Sequence, residues 1–330
     1  MDGLGPGCRI MKMFPQRVSG RIAAAAASIG MAAGALTACS AKPAASPAAA
    51  TTTATAAATS SATTGTAPSS TTDTAAFQQL ESRYGARLGV YAIDTGTGRS
   101  VAFQADERFA FCSTIKAFAA GELLRRETDA QLAQTITYSA SDLVDYSPVT
   151  SKHVQGGMTL TAVMSAAIEV SDNTALNLMF GRLGGPAGLQ SALRSLGDAT
   201  TDVDRTEPTI NTAVPGAVQD TSTPRALAAD LRAFVLGDVL TAGRRARLTA
   251  WLQANTTGGP YIRAAVPTGW KVGDKTGNGD YGTRNDIAVL WPTHGAPIVI
   301  AVLSHRGTQN ASSDDGLIAD ATKLALQQLD

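Results

Sequence analysis

The chain has 330 residues, with 27 Lys and Arg balanced by 27 Asp and Glu and only three His and three Cys. A zero net charge, with no basic run beyond the first few dozen residues, gives a nucleic acid nothing to bind, so we expect no nucleic-acid partner. The histidines (His153, His294 and His305) form no close pair and no cluster with cysteine, so neither a metal site nor a cofactor is predicted.

Residues 1–39 have the pattern of an export signal. Basic residues come first, and an apolar, Ala-rich run from Ile22 to Ala38 follows that is short for a membrane span. The run leads into Leu36-Thr37-Ala38-Cys39, which resembles the lipobox of bacterial lipoproteins, whose Cys receives the lipid. We therefore predict export to the periplasm or cell surface with a lipid anchor on Cys39. An ordinary secretory signal with a chance cysteine is the alternative.

Residues 40–74 are almost wholly Ala, Thr, Ser and Pro, with Lys42 and Asp73 as the only charges. Such a segment lacks the apolar surface that could offset the entropy of ordering it, so it is predicted to be a disordered tether. The globular domain is then residues 75–330. Cys112 is its only cysteine, so no internal disulfide is expected, and a small packed residue is the favoured interpretation of this thiol.

The domain begins with apolar residues at helical spacing, followed by a strand over 88–93, a turn over 95–98 and a returning strand over 100–103. Helices are predicted over 113–125, 160–168, 173–180, 186–196, 224–236 and 243–254. Strands over 270–274, 286–291 and 298–303 and a helix over 316–329 complete the chain. Strands at both ends and helices between them predict an α/β (α+β) fold: one sheet built from the chain termini, packed against an inserted helical lobe. A site is expected where the two lobes meet.

The first motif, Ser113-Thr114-Ile115-Lys116, lies at a predicted helix start. An i, i+3 spacing places both polar side chains on one helix face, so a neutral Lys amine could accept the Ser proton. Because Ser-x-x-Lys occurs by chance about once in a chain of this length, an exposed helix start is the alternative.

Two further motifs follow at wide intervals. Ser171-Asp172-Asn173 directly precedes a helix, where a helix N-cap would also explain it. Lys275-Thr276-Gly277 ends a predicted strand. Its Gly would let a substrate backbone lie against the strand edge while Lys and Thr face an anionic group; a strand-to-turn junction is the alternative.

In this order the three motifs are the signature of class A β-lactamases and penicillin-binding proteins. Glu207-Pro208-Thr209-Ile210-Asn211 resembles the Glu-x-x-Leu-Asn of the class A omega loop, with Ile in place of Leu, and Arg205 and Asp220 fall where the family has the ion pair that closes that loop. The chain is thus identified as a member of the class A serine β-lactamases from about Phe77 to the last helix. The resemblance implies an antiparallel sheet, a monomer, and hydrolysis of penicillins and cephalosporins that confers resistance.

The resemblance also implies a role for each motif residue. Ser113 would be the nucleophile that forms an acyl-enzyme, while Lys116 and Glu207 compete as the acylation base. Glu207 would then activate the deacylating water, which the Asn211 amide helps to hold. Ser171 would relay a proton to the lactam nitrogen as it leaves.

Substrate contacts are implied in the same way. The backbone N–H groups of Ser113 and Asn278 would form the oxyanion hole. Asn173 would bind the substrate side-chain amide, and Tyr146 would form one wall of the cleft unless it is simply a half-exposed loop aromatic. The substrate carboxylate would be held by Lys275, Thr276 and Arg284, beside Gly277.

A D-alanyl-D-alanine peptidase shares the three motifs and the acylation step, and is the alternative function. Fast deacylation is not needed there, so Glu207 with Asn211 favours the β-lactamase. A sensor that stays acylated is disfavoured for the same reason. Some carbapenem-hydrolysing relatives bridge the Cys before the nucleophile to a second Cys, where this chain has Gly279. This weakens a carbapenemase interpretation, and the substrate spectrum stays open.

Overall fold

The computed structural model describes residues 72–330. The predicted export signal, Cys39 and nearly all of the predicted tether lie outside the described residues. Within the described part, no helix is both long and apolar enough to span a bilayer.

The described residues form nine strands: β1 (Arg87–Asp94), β2 (Ser100–Phe103), β3 (Phe109–Ala110), β4 (Thr135–Ile136), β5 (Met158–Thr159), β6 (Thr221–Ser222), β7 (Lys271–Gly279), β8 (Thr283–Trp291) and β9 (Ile298–His305). Their α-helices are α1 (Thr74–Tyr84), α2 (Lys116–Arg126), α3 (Asp129–Leu132), α4 (Leu160–Glu169), α5 (Asn173–Leu183), α6 (Pro186–Ser195), α7 (Pro224–Val235), α8 (Ala242–Gln253), α9 (Ile262–Ala265) and α10 (Gly316–Leu329).

Five strands form one antiparallel sheet in the order β2-β1-β9-β8-β7. The last strand of the chain lies at its centre, where Ala301 pairs with Tyr91 of β1 on one side and Ile287 of β8 on the other. The hairpin from the N-terminal side of the domain therefore joins three strands from the C-terminal side. This confirms the predicted α/β class with a sheet built from the chain termini.

The sheet is covered on both faces, because alternate residues of β9 belong to two different cores. Ile300 and Val302 pack with Phe77 of α1 and Leu317 of α10. Val299, Ala301 and Leu303 belong to the larger core that runs into the helical lobe. Burial on both faces explains why the β9 sequence is an unbroken apolar run rather than an alternating one.

Helix α2 is the central element of the helical lobe and is buried from Lys116 through Leu124. Its Gly121 packs against Phe234 of α7, where an added Cβ would lie 2.7 Å from the ring. Glu122, buried on the same helix, is paired with Arg125 at 2.7 Å. Close packing on all sides fixes the end of α2 that carries the first motif.

Two predicted boundaries are wrong near the motifs. The helix predicted over 113–125 begins as a 3-10 turn, Cys112–Ile115, and becomes α-helical only at Lys116. The strand predicted over 270–274 continues to Gly279, so the Lys-Thr-Gly motif lies inside β7 rather than at its end. Among the extra residues of β7, Lys275 and Thr276 are polar but buried, which an apolar periodicity does not reveal.

A pair of buried carboxyl groups, Asp198 and Asp230, joins the loop after α6 to α7. Asp198 Oδ1 accepts the N–H groups of Thr200 at 2.7 Å and Thr201 at 3.0 Å. The Oδ2 atoms of both aspartates have no donor among the described residues, although the two side chains are within hydrogen-bonding reach of each other. A proton held by Asp230 and shared with Asp198 would satisfy both atoms. Burial, reinforced by the charge of Asp198, raises the pKa of Asp230 to about 9.

We expect Asp230→Asn to stabilise the enzyme in alkaline solution. Between the ordinary Asp pKa of about 4 and the folded value, the native state holds a proton that the unfolded chain has lost, so the free energy of unfolding falls as pH rises. Asn supplies the same donor without titrating. The variant should exceed the wild type by about 1–3 kcal/mol at pH near 9 in denaturant unfolding and show a flatter pH profile. Equal pH profiles for both proteins would contradict the shared proton. The control is Asp106→Asn, at an exposed carboxylate that lines the same surface pocket as Asp198 and Asp230.

Candidate active site

The first motif presents Ser113 at the mouth of a cleft, on the 3-10 turn that leads into α2. Cys112, the preceding residue, has φ of 50°, a left-handed conformation that is uncommon outside glycine. This backbone conformation sets the direction in which the chain enters the 3-10 turn at Ser113. Asn285 of β8 holds the approach to the turn, because its amide donates to the carbonyls of Ala110 at 2.7 Å and Phe111 at 3.3 Å. The nucleophile candidate is therefore fixed by both lobes.

The Lys116 side chain is fully buried and lies at the centre of a polar cluster. Its Nζ contacts five groups: Ser113 Oγ at 2.8 Å, the Ser171 carbonyl at 2.8 Å, the Ser171 hydroxyl at 3.3 Å, Asn173 Oδ1 at 2.6 Å and Glu207 Oε1 at 3.0 Å. Burial lowers the pKa of Lys116 below its ordinary value, and the neighbouring Glu207 carboxylate opposes that shift. The Lys116 ammonium therefore loses its proton more easily than the ammonium of a surface lysine does.

Glu207 is buried on the segment that follows α6, and both ends of its carboxylate are engaged. Oε1 lies 3.4 Å from Ser113 Oγ, and Oε2 accepts a hydrogen bond from the Asn211 amide. The Glu207 backbone is held by Asn177 of α5, which donates to its carbonyl at 3.0 Å and accepts its N–H at 2.9 Å. Sequence reasoning missed Asn177, although its position four residues after Asn173 places both on one helix face.

The loop that carries Glu207 is closed at its base by the pair expected from the resemblance. Arg205 Nε contacts Asp220 Oδ2, and Asp220 Oδ1 accepts the N–H groups of Asp204 at 2.9 Å and Arg205 at 3.0 Å. Asp220 is fully buried. Removing one partner would leave a buried charge or unpaired donors, so the loop and Glu207 are held together.

The second motif divides structural and site-facing residues. Asp172 is the N-cap of α5, since its carboxylate accepts the Ala175 N–H at 2.9 Å. Ser171 has φ of 59° and turns its hydroxyl into the cleft. That hydroxyl lies 3.3 Å from Lys116 Nζ and 3.0 Å from Lys275 Nζ, so it bridges two lysines.

Lys275 is fully buried in β7, with its ammonium near that of Lys116. Burial, with the Lys116 charge adding to it, lowers the pKa of Lys275 to about 7. A carboxylate bound beside it would favour the protonated form. Thr276, the next residue, bonds its hydroxyl to the Thr257 hydroxyl at 2.6 Å.

Gly277 has a packing reason in addition to the predicted one. A Cβ there would lie 2.6 Å from the Phe111 carbonyl oxygen and 3.0 Å from the Thr114 side chain, so glycine lets β7 pack against the start of the 3-10 turn. Gly279 is similarly tight, because a Cβ would lie 2.8 Å from Cys112 Sγ. The Cys112 thiol is free and fully buried, and burial raises its pKa, which makes the thiol unreactive.

The cleft at this site has a volume of about 580 Å³. Its lining includes the predicted residues Ser113, Tyr146, Ser171, Asn173, Asn211, Thr276 and Asn278. Sequence reasoning missed the other lining residues, which are Thr256, Thr257, Pro260, Tyr261 and Asp315. Another cavity, of about 620 Å³, lies between α8 and the sheet and holds none of the motif residues, so its size does not make it the site.

Two predicted contacts are more peripheral than the motifs. Tyr146 has φ of 62° and is 61% exposed, so it stands at the rim of the cleft as a loop aromatic. Arg284 pairs across β7 and β8 with Asn278, but its guanidinium forms an ion pair with Asp315 at 2.9 Å. The predicted carboxylate-binding arginine is thus partly neutralised, and Asp315 rather than Arg284 borders the cleft.

Known proteins resemble this chain over nearly all of its described residues. Residues 74–329 match the model of the beta-lactamase enzyme family. The β-lactamase of Amycolatopsis lactamdurans is 57% identical over 253 residues, which cover 77% of this chain and 84% of that protein. The β-lactamase of Bacillus licheniformis is 51% identical, with coverage of 77% and 82%.

Solved structures agree with the sequence relatives. The class A β-lactamase from Clostridium kluyveri DSM 555 superposes with a TM-score of 0.77 at 48% identity, covering 78% of this chain and 98% of that one. A halotolerant bacterial β-lactamase has a TM-score of 0.76 at 51% identity, covering 77% and 98%. The chain therefore belongs to the β-lactamase enzyme family and is a class A β-lactamase.

Proposed function

We propose that this enzyme opens the β-lactam ring of penicillins and cephalosporins through a covalent acyl-enzyme on Ser113, and so confers resistance to them. The observation that carries the proposal is the position of the Ser113 hydroxyl beside the cleft. It lies 2.8 Å from Lys116 Nζ and 3.4 Å from Glu207 Oε1, so a nucleophile and two possible bases meet at one point. No metal or cofactor enters the proposed reaction.

Acylation begins when the Ser113 hydroxyl attacks the lactam carbonyl. Its proton passes to Lys116 or Glu207, which are both within reach and 3.0 Å apart. The ring C–N bond breaks, and the nitrogen takes a proton from the Ser171 hydroxyl. Lys116 or Lys275, which both contact that hydroxyl, can then return a proton to it. The backbone N–H groups of Ser113 and Asn278 stabilise the oxyanion, and each such donor typically contributes about 3–4 kcal/mol.

Substrate orientation is assigned to the groups around the nucleophile. Lys275 and Thr276 hold the substrate carboxylate, with Arg284 adding positive charge behind the Asp315 carboxylate. Asn173 is held by Lys116 and by the Asp145 carbonyl, to which its amide donates at 2.9 Å, leaving a second amide hydrogen for the substrate side chain.

Deacylation distinguishes a β-lactamase from a peptidase of similar sequence. Glu207 takes a proton from a water that attacks the acyl carbonyl, and the Asn211 amide orients both the carboxylate and that water. The ester bond to Ser113 breaks, and the serine oxygen regains a proton from the Lys116–Glu207 pair.

The proposed function is tested with two substrates. Purified enzyme should turn over benzylpenicillin repeatedly, with kcat/KM of at least about 10⁴ M⁻¹s⁻¹, and should leave a peptide ending in D-alanyl-D-alanine intact. Ultraviolet absorbance follows loss of the lactam ring, and chromatography follows the peptide. A single turnover of penicillin together with cleavage of the peptide would support the peptidase instead.

We further propose that the enzyme is exported, lipid-anchored through Cys39 and active as a monomer. The Leu36-Thr37-Ala38-Cys39 sequence after an apolar run supports the anchor, and all site groups named above come from one chain. A radiolabelled lipid precursor should tag the wild type and Cys8→Ser, and should not tag Cys39→Ser. Equal labelling of both variants would contradict the anchor.

A further inference from the structure

We propose that Tyr261 is a positioning residue that turns the Asn278 side chain into a hydrogen-bond donor for the substrate carboxylate. This inference rests on the proposed function and adds a residue to it. Tyr261 lies just before α9 and borders the cleft, and its ring is buried with 4% of its surface exposed. Its hydroxyl donates to Asn278 Oδ1 at 2.9 Å.

The direction of this hydrogen bond decides what Asn278 can offer a ligand. An Asn side chain has one acceptor oxygen and two N–H donors. Because Tyr261 bonds the oxygen of this exposed residue, the amide nitrogen is the end left for the cleft, and it has no partner among the described residues. Burial raises the pKa of Tyr261 to about 12, so the phenol remains a neutral donor throughout the working pH range.

A dedicated donor matters because this part of the cleft also contains a negative charge. Asp315 borders the same cleft, and its ion pair with Arg284 offsets only part of its repulsion toward a ligand carboxylate. On the strand edge, Thr276 shares its hydroxyl with Thr257 at 2.6 Å. Before a ligand binds, an Asn278 amide free to rotate would present its oxygen about as readily as its nitrogen, so carboxylate binding would cost the free energy of fixing the donor orientation.

Tyr261→Phe removes only the hydroxyl and keeps the buried ring. We expect KM for benzylpenicillin to rise about 3–10-fold with kcat within about twofold, the effect of losing one neutral hydrogen bond. In an Asn278→Ala background, Tyr261→Phe should change KM no further, because the pair acts as a unit. Tyr84→Phe, which removes a tyrosine hydrogen bond to Asp320 on α10, should leave KM unchanged.

A substrate without the charge gives a second readout. With the methyl ester of the same penicillin, wild type and Tyr261→Phe should have equal KM, since the ester lacks the carboxylate. An unchanged KM of Tyr261→Phe for the free acid would overturn the proposal. So would an equal rise in KM when Tyr261→Phe is added to Asn278→Ala, or when Tyr261→Phe is tested with the ester. Failure of the proposed function is distinguishable, because the wild type itself would then not turn over penicillin. Thermal unfolding of each variant verifies that it is folded.

Discussion

Glu207→Gln should convert the enzyme from a catalyst into a stoichiometric trap for penicillin. Gln keeps the shape of the side chain and can still contact Asn211, but it cannot take a proton from water. Loss of a general base typically costs about 10²–10⁴-fold in rate, and here the loss falls on deacylation. Stopped-flow absorbance should show a burst of one lactam ring per enzyme followed by very slow turnover.

The burst rate of Glu207→Gln also separates the two candidate acylation bases. If Lys116 accepts the Ser113 proton, the burst stays fast in the variant. If Glu207 accepts it, the burst slows together with turnover. Glu169→Gln, at a glutamate on α4 whose carboxylate bonds Ser165 at 2.7 Å, is the matched control and should keep wild-type turnover. Wild-type steady-state turnover by Glu207→Gln would contradict the assigned role.

Ser113→Ala should abolish hydrolysis, with kcat/KM for a chromogenic cephalosporin falling by about 10⁴–10⁶-fold. The substitution removes the attacking oxygen but leaves the cleft, the backbone N–H donors and the ion pair between Lys116 and Glu207. Binding and oxyanion stabilisation alone account for the residual rate. The fold should survive, because the hydroxyl is a small part of a cluster that keeps its other contacts.

The control for Ser113→Ala is Ser195→Ala, at an exposed serine on the last turn of α6. It should hydrolyse the cephalosporin at the wild-type rate. Substantial hydrolysis by a correctly folded Ser113→Ala, shown by an unchanged melting temperature, would mean that another group carries the reaction.

Local spacing predicted the contacts that lie within one helical turn. The i, i+3 relation of Ser113 and Lys116 predicted the reach of the amine to the hydroxyl, and the structure has that contact at 2.8 Å. Glu207, 94 positions from Ser113, reaches the same point only because the sheet and the helical lobe meet there. No local sequence pattern predicts a contact between residues so far apart in the chain. The contact between Ser113 and Glu207 was expected only from the resemblance of the motifs to a known family.

Other features had no signal in the sequence. Tyr261 and Asp315 lie in irregular segments, where neither residue type nor spacing distinguishes a cleft residue from an ordinary loop residue. The length of β7 was missed because Lys275 and Thr276 are polar residues buried in a strand. Apolar periodicity describes surfaces that pack on a core, and it fails where buried polar groups bond across lobes to form a site.

Intact-mass spectrometry of the enzyme during reaction with benzylpenicillin tests the central claim most directly. We predict that Glu207→Gln gains the mass of one penicillin and keeps it, that fragmentation places the adduct on Ser113, and that the wild type returns to its free mass as the drug is consumed. The double variant that combines Glu207→Gln with Ser113→Ala should keep the mass of the free protein. A Glu207→Gln protein that hydrolyses penicillin without a persistent adduct, or that carries the adduct on another residue, would contradict the acyl-enzyme account.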